Sequence, residues 1–292
     1  MATNRALKGR IRSVTNTRKI TRTMELVATS KLKRAQDRVV AARPYAEALR
    51  QVIADLVTPD LADQFPLLRH PLSPAKGGPA RAVVILLTSN RGLAGGFNAN
   101  LIKEARRRID ALEGEGYQVE LVGVGKKGVG FFKYIGRTFR SERPDIGDRP
   151  TADHAASLVE ALMVEYAAGH VGVVELVQSH FVSVLVTPPT TMRILPIEAP
   201  AGRAEGMRPD YILAPDPATL LDQLLPLYVR NMVYRGLVET VAAEQAARRT
   251  AMKNATDNAG DLIDALKRTY NRQRQAQITQ EIAELVGGAA AL

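Results

Sequence analysis

The sequence predicts an α/β protein in which a long antiparallel coiled coil of N- and C-terminal helices carries an inserted α/β domain. Three observations predict it. Apolar residues recur at alternating steps of three and four near both ends of the chain, a proline-rich stretch follows the first of these, and strand-like and helix-like segments alternate in between.

The first region, 1–57, reads as one helix. From Ala2 to Val57 the only breakers are Gly9 and Pro44, and Leu32, Ala35, Val39, Ala42, Ala46, Leu49, Ile53 and Leu56 form a seam of coiled-coil period. Upstream, Leu7, Ile11 and Val14, then Ile20, Met24 and Val27, keep the rhythm with a phase break. Pro44 is expected to kink the helix. A helix of this length runs roughly 80 Å, far beyond an ordinary globular helix, so it needs a partner along its length.

Residues 58–79 read as a linker, with Pro59, Pro66, Pro71, Pro74, Gly77, Gly78 and Pro79. Residues 80–209 then alternate in the manner of a Rossmann-like domain. Strands are expected at Ala82–Thr88, Gln118–Val124, Val171–Val177 and Phe181–Val186, and helices at Ala99–Leu112 and Ala152–Ala168. The last region, 210–292, is a second long helix. Asp216 is its expected N-cap with Pro217 at the first helical position, and Pro226 is expected to bend it. Met252, Ala255, Ala259, Leu262 and Leu266, then Ile278, Ile282 and Leu285, continue its stripe to Gly287-Gly288. Two stripes at opposite ends of one chain bury each other when the helices pair antiparallel.

Composition narrows the functions. With 40 Lys plus Arg against 30 Asp plus Glu, the formal charge is +10, which points to an anionic partner. From Met1 to Arg34 the cations Arg5, Lys8, Arg10, Arg12, Arg18, Lys19, Arg22, Lys31, Lys33 and Arg34 face Glu25 alone, so ten minus one, or +9, lies in this one segment. Solubility is served by mixed signs; a stripe of one sign suits steering toward an acidic surface. Cysteine is absent, which excludes thiolate chemistry and disulfides and fits a reducing compartment. The basic start lacks the apolar core of a signal peptide, and the longest apolar runs fall far short of the ~20 residues of a membrane helix, so no direct membrane insertion is expected.

Candidate chemistry is sparse. Gly123-Val-Gly125-Lys-Lys-Gly128 matches the dinucleotide fingerprint after a predicted strand, but no strong helix follows Gly128 and no acidic residue clearly ends a next strand. A plain strand-to-helix turn is the better reading. Ser89-Asn-Arg-Gly-Leu-Ala-Gly-Gly-Phe-Asn98 sits where ligands bind in open α/β sheets, yet no acid, base or nucleophile accompanies it, so a structural turn is expected there too. No Gly-Lys-Ser/Thr triplet occurs, and His154, His170 and His180 lack metal-ligand spacing. No cofactor, metal or catalytic residue is predicted. A nucleic-acid reading of the basic helix calls for stacking groups beside it, whereas the first aromatic residue is Tyr45.

Four segments carry a family resemblance. Ile11-Arg-Ser-Val-Thr-Asn-Thr-Arg-Lys-Ile-Thr-Arg-Thr-Met-Glu-Leu-Val-Ala28 resembles the opening helix of F-type ATP synthase gamma subunits. The Ser89–Asn98 segment, Glu244-Gln-Ala-Ala-Arg248 with Asn254-Ala-Thr-Asp-Asn-Ala-Gly260, and Arg274-Gln-Ala-Gln-Ile-Thr-Gln-Glu-Ile282 with the Gly-Gly-Ala-Ala-Ala ending resemble that family in the same order. The resemblance implies a rotating shaft. Its terminal helices enter a ring of alternating alpha and beta subunits, and its α/β domain rests on the membrane c-ring beside epsilon, peripherally, at the cytoplasmic face of the bacterial inner membrane. It further implies beta-subunit contacts at Lys19, Arg22, Lys31, Lys33, Arg34, Arg274, Gln275 and Thr279, and rotor contacts within Glu205–Ile212, Glu205 and Tyr211 among them. Arg249, Thr250 and Lys253, Ala94 where a cysteine is common, and Pro226 depart from the family pattern.

Overall fold

The computed structural model describes residues 4–57, 64–71, 74–198 and 216–290. Helix α1 (Asn4–Leu56) is followed by a 3-10 turn at Pro74–Lys76, then β1 (Arg81–Leu87), α2 (Phe97–Gly114), β2 (Gln118–Val124), α3 (Lys126–Tyr134), β3 (Ser141–Arg143), α4 (Ala152–Ala167), β4 (Val173–Ser179), β5 (Pro189–Leu195) and α5 (Pro217–Ala290). The chain forms two compact units. One comprises the chain up to Thr29 together with that from Arg248 onward, and the other comprises Ser30–Ala247.

In the Ser30–Ala247 unit the sheet runs β3-β2-β1-β4-β5, with β5 antiparallel to β4 and the other neighbours parallel. Parallel strands covered on both faces need apolar residues throughout, and β1 supplies them without interruption from Ala82 to Leu87. Val83, Ile85 and Leu87 join a cluster with Ala155, Val159 and Leu162 of α4 and with Leu49 and Ile53 of α1. Ala82, Val84 and Leu86 join Leu101, Ala105 and Ile109 of α2 and Phe132 of α3 on the other face. Each Val, Leu, Ile and Phe among them contributes on the order of 1.5–3 kcal/mol on burial. A buried carboxylate, Glu175 on β4, is held by Arg108 of α2 at 2.6 Å and by Arg193 of β5 at 3.4 Å.

Several expected elements shift. Phe181–Val186 is not a strand. Ser183 Oγ accepts from the Leu185 and Val186 amides and closes a tight turn, while Phe181 is buried and Leu185 points to solvent. The edge strand lies further on, at Pro189–Leu195, where half-buried Thr190, Thr191 and Arg193 suit a position paired on one side only. A helix does follow the Gly123–Gly128 motif, beginning at Lys126 despite two internal glycines, and short β3 follows it.

Caps are satisfied locally. Thr151 Oγ1 accepts from the His154 amide and His154 Nδ1 accepts from the Thr151 amide, so this histidine closes the start of α4. Asp216 caps α5 as expected, accepting from the Thr219 amide at 2.9 Å. Both α1 and α5 continue through their prolines, Pro44 and Pro226. An interior proline costs ~3 kcal/mol. Leu221, Leu225, Val229 and Val233 around Pro226 are essentially fully buried, which offsets that cost.

In the other unit the helices pair antiparallel. Asn4 Nδ2 donates to Gln277 Oε1 at 2.5 Å and Thr256 Oγ1 donates to Thr21 Oγ1 at 2.8 Å, so contacts that ascend along α1 descend along α5. The seam is Leu7, Ala28, Met252, Ala259 and Ile263 with buried Glu25 and Thr256. Ile20 and Val27, expected in the seam, are 61% and 50% exposed because the stripe has drifted one position to Thr21 and Ala28.

Arginine pairs brace the α/β domain. Arg140 grips Glu165 and Glu120, and Arg137 grips Glu113. The Arg140 hydrogen bond holds Glu165 below the usual carboxylate range. A carboxylate with a lower pKa folded than unfolded stabilises fully above its unfolded value, and that contribution is lost as pH falls through the folded one. Acidification from pH 5 to pH 3 is therefore expected to lower the urea midpoint, and Glu165→Gln to lower it less over the same interval. An identical drop in both proteins counts against this pair as a source of acid sensitivity.

Candidate functional site

The turn after β1 and the start of α3 form a closed polar knot. The first three amides of α3 are already bonded. Lys126 N donates to Asn90 Oδ1 at 3.0 Å, Lys127 N to the Ser89 carbonyl at 3.1 Å, and Gly128 N to Thr88 Oγ1 at 3.0 Å. A helix N-terminus binds a phosphate through such free amides. Here they are occupied. The glycines serve packing, since a Cβ on Gly125 would lie 2.1 Å from the Thr88 carbonyl oxygen and one on Gly123 would lie 2.5 Å from Val129. Asn90 Nδ2 donates to the Pro144 carbonyl, and Ser89 Oγ and Asn98 bond each other, so the Ser89–Asn98 segment is a structural turn tying β1 to its neighbours.

Beside the knot lies a cavity of about 650 Å³ lined by Ser89, Arg91, Lys126, Asp145, Asp148, Arg149, Thr240 and Glu244, among others. Its lining mixes both charge signs. Asp145 accepts from Arg143, and Asp148 is taken by Lys31 at 2.5 Å and, through its carbonyl, by Arg38 at 3.0 Å. Among the described residues no group of three or more His, Cys, Asp or Glu could hold a metal ion.

The predicted cationic contacts divide between the two units. Lys19, Arg22, Arg274, Gln275 and Thr279 belong to the paired helical ends; Lys31, Lys33 and Arg34 belong to the Ser30–Ala247 unit. Three of the five predicted contact cations on α1 hold carboxylates of their own chain: Arg22 pairs with Glu25, Lys31 with Asp148 and Lys33 with Asp37. Lys19, Arg34 and Arg274 are exposed, with no ion pair among the described residues. Gln275 is exposed as well, and Thr279 Oγ1 bonds the Gln275 carbonyl within the helix. Glu205 and Tyr211 lie outside the described residues.

Two apolar surfaces are not apparent from the sequence, whose periodicity puts Ile20, Val27, Ile278, Ile282 and Leu285 in the seam and leaves Leu26 and Val286 unassigned. On α1, Ile20, Leu26 and Val27 stand in solvent next to Lys19 and Arg22. On α5, Ile278, Ile282, Leu285 and Val286 are exposed at helical spacing, beyond the last buried seam residue, Ile263. The signal was present as apolar residues adjacent to a one-sign charge run. Uncovered apolar stripes on both helices, with exposed Lys19 and Arg274 close by in sequence, mark a protein that assembles with others.

Comparison with known proteins identifies which assembly. A sequence model of the ATP synthase family matches residues 3–292. The ATP synthase gamma chain of Gemmatimonas aurantiaca is 59% identical over 293 residues, covering 100% of this chain and 99% of that one. That of Acidithiobacillus ferrooxidans is 42% identical, with both chains covered in full. The chain belongs to the ATP synthase gamma-chain family. In fold it is similar to a chain of the Euglena gracilis mitochondrial ATP synthase, with a TM-score of 0.70 at 20% identity, covering 99% of this chain and 94% of that one. It is also similar to a central-stalk chain from Tetrahymena thermophila, with a TM-score of 0.60 at 22% identity and coverage of 81% and 99%.

Proposed function

We propose that the chain works as the rotating shaft of a bacterial ATP synthase without a catalytic site of its own, its helical ends turning inside the alpha/beta ring while its α/β domain joins epsilon and the c-ring. The uncovered stripe Ile278, Ile282, Leu285 and Val286 carries this reading. An exposed apolar stripe at a helix end calls for a surrounding sleeve.

A shaft with one cationic face cannot present that face to three catalytic sites at once. Each angular position therefore favours a different set of site conformations, and rotation becomes a sequence of population shifts. In this scheme Lys19, Arg34, Arg274 and Gln275 meet beta-subunit carboxylates and loops directly. Arg22, Lys31 and Lys33 first release a carboxylate of their own chain, which costs little because exposed ion pairs are worth about 0–1 kcal/mol. The segment Glu205–Ile212, with Glu205 and Tyr211, serves the c-ring contact. No helix among the described residues is long and apolar enough to cross a membrane. Attachment at the cytoplasmic face of the inner membrane then runs through partners.

The test is reconstitution with alpha and beta subunits of the same source, followed by size exclusion and ATPase assay. One complex containing a single copy of this chain, with activity absent from the separate components, is expected. In that complex, Arg274→Ala with Gln275→Ala is expected to reduce ATP-driven torque severalfold while leaving the helical content of the free chain unchanged. Unchanged torque removes these two residues from the contact set, and failure of the wild-type chain to assemble defeats the shaft reading itself.

A further inference from the structure

Helices α2 and α3 lie on the same face of the sheet, and between them runs a groove of about 680 Å³ that neither the rotor reading nor the family assignment uses. Its floor is apolar: Ile102 and Phe131 are half-buried and packed on the core cluster of that face. Its rim is cationic on both walls, with Lys103, Arg106 and Arg107 from α2 and Lys127 from α3, against Asp110 alone among the lining residues. With Arg107 neutralised by Glu104, the other three cations less one carboxylate leave +2.

A merely solvated helix face would pair these charges along its own helix, as Arg107 does with Glu104 at 2.7 Å. Lys103, Arg106 and Lys127 have no ion pair among the described residues, and all three are exposed. Lys103 and Arg106 are three residues apart, so their Cβ atoms lie roughly 5–6 Å from each other on one face of α2. An apolar floor between two such walls matches a helix with one apolar stripe and carboxylates on both flanks.

From this charge complementarity we infer that the α2/α3 groove docks an acidic amphipathic helix of a partner protein. The inference is independent of the contacts proposed for the shaft. The groove lies on the α/β domain, and its lining shares no residue with the cationic set on α1 and α5. A partner seated there rides on the α/β domain, and if it is also fixed elsewhere it opposes rotation.

The test exploits the absence of cysteine. Full-length chain carrying Ala99→Cys at the mouth of the groove is labelled with an environment-sensitive fluorophore. It is then titrated with a synthetic helical peptide bearing leucine at alternating third and fourth positions and glutamate on both flanks. Saturable binding is expected, weakened at least about tenfold by Lys103→Glu with Arg106→Glu, a change of some 1.4 kcal/mol. Ile102→Ser is expected to weaken it independently of salt. Both variants are checked for unaltered circular dichroism. No saturable binding, an unaffected charge-reversed variant, or equal binding by a scrambled peptide, a duplex oligonucleotide or anionic lipid vesicles overturns the proposal.

Discussion

Replacing Gly125 by alanine is expected to destabilise the α/β domain by about 3 kcal/mol or more, enough to abolish a large part of its marginal stability. Two costs add. Gly125 has φ of 87° and ψ of 143°, an extended positive-φ conformation that is essentially restricted to glycine and costs an L-residue on the order of 1–3 kcal/mol. The new Cβ would also stand 2.1 Å from the Thr88 carbonyl oxygen, a backbone atom held in place by the β1–β2 ladder. Relief requires moving the start of α3, which breaks the bonds from Lys126 N to Asn90 and from Gly128 N to Thr88. Gly130 supplies the control, because nothing lies within 4 Å of its added Cβ and it sits inside the same helix. Gly130→Ala is expected to stabilise by about 0.5–1 kcal/mol through helix propensity. Urea unfolding followed by circular dichroism measures both. Equal midpoints for Gly125→Ala and the parent would mean that the knot yields freely and that the three-glycine motif is not there for packing.

The same knot shows where the sequence is legible. Apolar runs bounded by breakers located β1 and β2 to within a residue, and the Asp216-Pro217 start of α5 was readable because capping is local chemistry. Phe181–Val186 misled because a short apolar run scores as a strand, whereas Ser183 closes it into a turn. The true edge strand was hidden for the opposite reason: Thr190, Thr191 and Arg193 face a half-covered surface, so apolarity was not required of them. Helix α3 was masked by Gly128 and Gly130, the first needed for its approach to Thr88. At the candidate contacts, residue identity was legible but pairing was not. Lys31 finds Asp148 at a separation of 117 residues, which no local pattern encodes. The drift that exposes Ile20 and Val27 depends on which turn of α1 meets Thr256, a property of the pair rather than of either helix.

That distinction between a helix and its partner sets the second large effect. Substituting Ile278, Ile282 and Leu285 together by glutamate is expected to leave the isolated chain within about 1 kcal/mol of its parent, since the three side chains are 45%, 55% and 74% exposed and lose only part of a side chain's burial. Glutamate is also a good helix former, so the backbone is not penalised. Association with the alpha/beta ring is expected to weaken by at least about 100-fold. Three apolar contacts of roughly 1 kcal/mol each disappear and three carboxylates are desolvated in their place. The readouts are the thermal midpoint of the free chain and the dissociation rate of the reconstituted complex. Loss of stability in the free chain would show that the stripe is covered by its own protein. If the free chain and the complex were both unaffected, the sleeve would grip elsewhere. The remaining candidates for transmitting torque would then be the unpaired cations Lys19, Arg34 and Arg274 and the exposed Ile20, Leu26 and Val27.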